Sequence, residues 1–388
     1  MIENINREID VSFSRIRTNK SKKIIEDFLS YADVKINSSR PWDMQVYNKD
    51  LYGRVLKHGS LGLGESYMDG WWDAKELDAF SYKTLRAKLD KKIPGGWIIV
   101  TCILIQTILN SQRLSKSFEV GEHHYDIGND LYENMLDKRM VYSCGYWKNT
   151  NSLDEAQEAK LDLICRKLQI EEGMKVLDIG CGWGGFAKFV SEKYGAIVDG
   201  VTVSKEQVEF ARKYCRGLPV QIKLQDYRHI EGQYDRIISI GMFEHVGCRN
   251  YHTFMKVVNR LLSNDGLFLL HTIGRNASVR SNDPWIEKYI FPNSMLPSIK
   301  QIGISIENLF VMEDWHNFST DYDKTLMAWF ENFDLNWEKL KSKYSDRFYR
   351  MWKYYLLVCA GSFRARHFQL WQIVFSKNGV LGGYTSIR

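Results

Sequence analysis

The stretch Met174 to Gly185, MKVLDIGCGWGG, holds the residue types and spacings that most directly suggest chemistry. Its apolar run from Met174 to Ile179 reads as a strand, and Gly180-Cys181-Gly182-Trp183-Gly184-Gly185 satisfies G-x-G-x-x-G, a loop through which a backbone approaches a ligand. Nicotinamide and flavin sites share that loop, so its neighbours decide the ligand. Asp178, two residues before the first glycine, sets a carboxylate where a pyrophosphate would be repelled and a cation tolerated. S-adenosylmethionine carries a sulfonium and an amino group and meets that demand better than a dinucleotide. Asp199 stands near the ~20-residue distance of a ribose-binding acid, but Gly200 and Val201 continue its run, which reads it as mid-strand. Glycines that serve only a tight strand-to-helix turn are the alternative.

The elements around this loop alternate. Asp154 to Leu168 reads as an amphipathic helix, and Phe186 to Lys193 as the helix after the loop. A second strand, Ala196 to Val203, precedes Ser204-Lys205-Glu206-Gln207, an S-x-x-Q capping box that opens another helix. Val220 to Leu224, Tyr234 to Ile240 and Leu267 to Leu270 supply three more strands. This alternation predicts the α/β class, a Rossmann-like open parallel sheet with ligands bound outside the carboxyl ends of its strands. Asp178 and Gly180 end strand one, Thr202 strand two, and Gln225 and Asp226 strand three; Glu244 follows strand four and His271 ends strand five. All should face one crevice. Taken alone, His271 reads equally as a satisfied polar residue at a strand end, and Cys144 as a packing residue.

A chain of 388 residues has room for two domains. A smaller, mainly helical domain is expected over 1–92, a linker over 93–118 around Pro94-Gly95-Gly96, and a catalytic domain over 119–388. Hydrophobic residues at 44% and charged residues at 26% exclude wholesale disorder and a disulfide scaffold. An aromatic share of 13% exceeds what a routine core needs and reads as aromatic core packing or as a lining for an apolar substrate or a cation. The seven cysteines (Cys102, Cys144, Cys165, Cys181, Cys215, Cys248 and Cys359) include no CxxC pair, which argues against structural zinc and for a reducing cytoplasm. Net charge is +6, and Lys83, Arg86, Lys88, Lys91 and Lys92 crowd one stretch that reads as a phosphate-facing patch or as a solvated helix face. No zinc-finger spacing or RNA-binding motif accompanies it, so nucleic acid is disfavoured. The apolar run Trp97 to Asn110 falls short of the ~20 residues a spanning helix needs and reads as an interfacial segment or a buried connector.

From Gly59 onward the chain resembles bacterial cyclopropane-fatty-acyl-phospholipid synthases and the wider group of mycolic acid cyclopropane synthases. The carrying motifs include GSLGLGESYMDGWW (59–72), EHHYDIGND (122–130), YSCGYW (142–147), VLDIGCGWGG (176–185), GVTVSKEQ (200–207), LQDYR (224–228), GMFEHVG (241–247), LLHTIG (269–274), MEDWHNF (312–318), DYDKTLMAW (321–329) and CAGSFRAR (359–366). The resemblance implies methylene transfer from S-adenosylmethionine to a cis double bond of a phospholipid acyl chain, in a Rossmann-like methyltransferase domain. It places the donor against Tyr142, Ser143, Gly180, Gly182, Thr202, Gln207, Gln225 and Asp226, beside Asp178. It implies a bicarbonate base cradled by Cys144, Glu244, His271, Ile273 and Tyr322, and it marks Cys359, for which the residues themselves suggest only packing. It further implies a homodimer and lipid engagement by the amino-terminal domain, while the net charge and the basic cluster predict peripheral docking on an anionic membrane surface from the cytoplasm. Two rivals stand beside it: a methyltransferase that leaves a methyl-branched or hydroxylated chain, and a lipid-binding protein that has lost chemistry.

Overall fold

The computed structural model describes residues 19–88, 127–279 and 281–388, which divide into two compact units. The larger unit takes the described residues from 127 to Asn282, Phe291–Leu340 and Phe368–Arg388. Its seven-stranded sheet contains β1 (Lys175–Ile179), β2 (Ile197–Thr202), β3 (Val220–Leu224), β4 (Tyr234–Ile240), β5 (Leu262–Arg275), β6 (Val311–Asn317) and β7 (Phe368–Ser376). The order across the sheet is β3-β2-β1-β4-β5-β7-β6. The first five are mutually parallel, and β7 runs antiparallel to both β5 and β6. Strand order reverses between β1 and β4, so the crevice that such sheets use for ligands must open at their carboxyl ends. Valine, isoleucine and leucine side chains fill both faces, as a sheet covered by helices requires: Leu177, Ile179 and Ile237 belong to one core, Val176, Val198 and Ile238 to the other.

The α/β sheet expected from the alternation is present, and two details of the expectation are corrected. Strand five does not end at His271. It continues to Arg275 because the antiparallel partner β7 pairs with it through Arg275↔Phe368 and holds His271 opposite Gln372 in mid-strand. The capping box is half formed: the Ser204 hydroxyl accepts the Gln207 N–H, but the Gln207 side chain turns away to accept a 2.7 Å hydrogen bond from the Thr202 hydroxyl. Asp199 is mid-strand, as read, and is held there by Lys223 at 3.1 Å and the Tyr234 hydroxyl at 2.8 Å.

The smaller unit combines the described residues up to 88 with Asp283–Ile290 and Lys341–His367. The expected segment 119–388 is therefore not one packing unit, and the expected linker falls largely outside the described residues. The reason is visible in the helix Asp346–Arg364, which lies along the helix Leu77–Arg86. Arg364 pairs with Asp78 at 2.7 Å, the Ser81 hydroxyl donates to the Val358 carbonyl at 2.9 Å, and Arg350 reaches the Trp72 carbonyl and Asp73, both at 2.9 Å. Gly361 lets these two helices touch backbone to backbone: a Cβ there would lie 2.7 Å from the Ser81 Cβ and 2.8 Å from the Tyr82 nitrogen. Gly64 of the motif GSLGLGESYMDGWW makes room in the same way for the Trp285 ring. Gly361→Val is accordingly expected to cost at least the ~1–3 kcal/mol of an overpacked core, read as a lowered thermal midpoint.

Six of the seven cysteines are described, and all six are free thiols. Of the basic cluster, Lys83 is committed to Asp33 at 2.9 Å and to the Trp42 ring, whereas Arg86 and Lys88 are exposed; Lys91 and Lys92 lie outside the described residues, as does the run Trp97 to Asn110. No helix among the described residues is long and apolar enough to cross a membrane.

Candidate active site

A cavity opens at the switch point, walled by the carboxyl ends of β1, β2, β3 and β4. Tyr142, Ser143, Asp178, Gly180, Gly182, Thr202, Gln207, Gln225 and Asp226, which are the nine residues expected to hold the donor, all line it. Local backbone geometry explains the loop. Gly180 and Gly182 have φ of +87° and +54°, in the left-handed region that side chains disfavour. A Cβ on Gly180 would press to 2.7 Å from the Met242 Cβ, whereas a Cβ on Gly182 would meet no protein atom within 4 Å. Gly182 therefore borders open ligand space.

Asp178 is 2% exposed, and burial pushes its carboxyl up to about 7 against the pull of Lys160. A group so placed gains most from a cationic ligand, which returns it to the charged form. Asp226, which also lines the cavity, has its carboxylate spanned by Arg228, with contacts of 2.8 and 2.7 Å. The sequence reading did not single out Arg228, Met242, His245 or Asn250, which also line the cavity. The residues and the ligand fit: a desolvated carboxylate for a cation, an open glycine loop for close approach, and aromatic walls for an adenosyl group.

Of the strand-end residues expected to face one crevice, Asp178, Gly180, Thr202, Gln225 and Asp226 line this cavity, whereas Glu244 and His271 do not. Glu244, His271, Ile273, Cys144 and Tyr322 do not line this cavity; they are buried or half-buried in the same unit, His271 and Ile273 on β5. Glu244 sits on the turn Phe243–His245, and its Oε1 accepts the Ile273 N–H at 2.7 Å while Oε2 is buried with no partner. Burial raises its carboxyl to about 7, opposed by the Ile273 amide. His271, two residues before Ile273 and so on the same sheet face, has Nδ1 3.3 Å from Gln372 Nε2 and Nε2 buried without a partner. Burial holds the imidazole well below its ordinary range and hence neutral. The Gln372 side-chain amide thus engages Nδ1 and leaves Nε2 for another partner. Cys144 is fully buried; its thiol is pushed well above its usual range by burial and donates to the Gly145 carbonyl at 3.1 Å. Tyr322 packs edge-on to Trp329, which in turn meets Tyr142 at 5.1 Å between ring centroids, and Tyr142 joins Tyr132 and Phe291. An aromatic wall thus runs from the cavity-lining Tyr142 to Tyr322.

Cys359 belongs to the smaller unit. It lies on the helix Asp346–Arg364, and burial together with Asp283 pushes its thiol up to about 12, which keeps it a neutral packing group.

A family model described as mycolic acid cyclopropane synthetase matches residues 112–373. The chain belongs to that family. A cyclopropane-fatty-acyl-phospholipid synthase of Escherichia coli (strain K12) is 54% identical over 366 residues, covering 94% of this chain and 96% of that one. A "Probable fatty acid methyltransferase" of Pseudomonas putida is 37% identical over 273 residues, 67% of this chain and 69% of that one. Among solved structures, the mycolic acid cyclopropane synthase CmaA1 complexed with SAH and CTAB superposes with a TM-score of 0.63 at 31% identity, over 67% of this chain and 98% of that one. The family membership and methyltransferase fold inferred from sequence motifs agree with these findings.

Proposed function

We propose that this member of the cyclopropane synthetase family moves a methylene group from S-adenosylmethionine to the cis double bond of an unsaturated acyl chain in a membrane phospholipid, closing a cyclopropane ring. The observation that carries the reading is the pairing, within one unit, of a cation-seeking cavity floored by Asp178 with a buried acid–imidazole cluster at Glu244 and His271. S-adenosylmethionine supplies an electrophilic methyl group. An alkene is a weak nucleophile and its methylation leaves a carbocation, so the protein must exclude water and offer π faces to the charge; Tyr142, Trp329 and Tyr322 are placed for that duty.

Ring closure then requires loss of a proton from carbon. In the proposed scheme a bicarbonate ion supplies the base, held by His271 Nε2–H as donor, with Cys144, Tyr322 and Ile273 around it, the Ile273 N–H fixing Glu244 beside it. The two buried, partnerless atoms Glu244 Oε2 and His271 Nε2 are the observation that fits such an ion. A Glu244 carboxyl poised at about 7 can share or receive the proton. Gln207, held by Thr202, keeps its amide N–H groups for the ribose region of the donor. The reading also includes a homodimer and peripheral docking on an anionic membrane surface from the cytoplasmic side. Exposed Arg86 and Lys88 support the docking, each contributing on the order of 1 kcal/mol at such a surface.

The test is incubation with S-adenosylmethionine and cis-unsaturated phospholipid vesicles, with and without anionic lipid, followed by proton NMR of the recovered lipid. Cyclopropane ring protons are expected, formed faster on anionic vesicles and more slowly as salt rises. New methyl doublets would select the branching methyltransferase instead, and unchanged lipid would overturn the enzymatic reading.

A further inference from the structure

The helix Leu153–Lys167 buries Leu153, Ala156, Leu161 and Ile164 among its apolar residues, and three of its buried residues are polar: Gln157, Lys160 and Lys167. Gln157 and Lys160 are both fully buried. Gln157 Nε2 donates to the carbonyls of Val141 at 3.2 Å and Ser143 at 2.7 Å, and Lys160 Nζ lies 2.8 Å from Ser143 Oγ. Both therefore act on the segment Met140–Ser143, which forms one wall of the cofactor cavity.

A buried ammonium is expensive unless compensated, so its retention calls for a purpose. Its charge is felt by Asp137 and Asp178. The Asp137 carboxylate is already spent on the Arg139 and Val141 amides at 2.9 and 3.0 Å, which leaves Asp178 as the acid that faces the cavity. The hydrogen-bond direction follows from valence. An ammonium has N–H donors and no lone pair, so Ser143 Oγ must accept from Lys160, and its own hydrogen must point elsewhere. Ser143 lines the cavity, so that hydrogen is available to a ligand there.

We propose that Lys160 is a positioning residue that fixes the Ser143 hydroxyl as a donor to the carboxylate of the cofactor's amino-acid end. Asp178 then takes the ammonium of the same end, and the cavity reads it as a zwitterion: a cation-backed hydroxyl on one side, a carboxylate on the other. This rests on the cavity being the S-adenosylmethionine site, and the test separates the two ideas. The full chain is titrated calorimetrically with S-adenosylhomocysteine and with 5′-methylthioadenosine, which shares the nucleoside but lacks the amino-acid end. Lys160→Met should weaken S-adenosylhomocysteine by ~10- to 100-fold, as for a hydrogen bond backed by charge, and leave methylthioadenosine unchanged. Ser143→Ala, which removes one hydroxyl and leaves Lys160 in place, should show the same selective loss and serves if Lys160→Met does not fold. Combining the two should add nothing further. An equal loss for both ligands would make Lys160 a structural prop and overturn the proposal, as would undiminished affinity for S-adenosylhomocysteine. Failure of the wild type to bind either ligand would remove the cofactor reading itself.

Discussion

Glu244→Gln is expected to bind S-adenosylhomocysteine as the wild type does and to lose turnover by the ~10²- to 10⁴-fold that acid–base groups supply. The variant is chosen because glutamine keeps the shape and an oxygen for the Ile273 N–H, whose 2.7 Å bond to Oε1 would otherwise be left open in the interior. What it removes is the ability to hold or receive a proton at Oε2. The same group predicts a stability signature. Its carboxyl is raised from an ordinary 4.5 to about 7 in the folded protein, so the fold favours the neutral acid. That contribution is fully present below about 4.5 and disappears as pH rises through about 7; its full size is on the order of 3 kcal/mol. Thermal melts of the cofactor-free protein should therefore show the wild type losing stability from pH 5 to pH 8 more steeply than Glu244→Gln. Bound bicarbonate should alter that slope if its site is here. Equal turnover for Glu244→Gln and the wild type would remove Glu244 from the chemistry whatever the slopes show.

The parts of the molecule that were legible from sequence are those fixed by neighbours along the chain. β1 to β4 announce themselves because each is a short apolar run bounded by turn residues, and Asp178, Gly180, Thr202, Gln225 and Asp226 lie at or just beyond their ends. β6 and β7 do not. VMEDWHN reads as polar, and FQLWQIVFS carries two glutamines that look misplaced until β7 is seen between β5 and β6, with Gln372 opposite His271. The same pairing explains why β5 outruns its expected end. His271 was legible as a candidate, but its partner was not, because Gln372 comes from 101 residues away. Gln157 and Lys160 left a signal that went unread. Polar residues in register with the apolar repeat of Leu153, Ala156, Leu161 and Ile164 must be buried and must therefore be satisfied by something specific. The association of Asp346–Arg364 with the amino-terminal residues had no local signal at all, since Gly361 acquires its meaning only against Ser81 and Tyr82.

Gly182→Val is expected to abolish measurable cofactor binding while leaving the protein folded. A glycine can be required for its φ, for what its absent side chain would strike, or for the ligand, and Gly182 separates these cases. Its φ of +54° makes a β-branched residue costly, on the order of 1–3 kcal/mol, which a lowered thermal midpoint will report. No protein atom lies within 4 Å of the missing Cβ, so no core clash adds to that cost. The valine methyls would instead fill the space beside Asp178 and Gly180 where the backbone must approach its ligand. Gly180→Val is the contrasting case, because its Cβ would press on Met242 and disturb the fold as well as the cavity. Calorimetry with S-adenosylhomocysteine and a parallel melt decide the matter. A Gly182→Val protein that melts a few degrees early and binds nothing supports the cavity as the donor site. One that binds with wild-type affinity would place the donor elsewhere in the chain, and the nine residues that line this cavity would need another ligand to account for the carboxylate kept neutral among them.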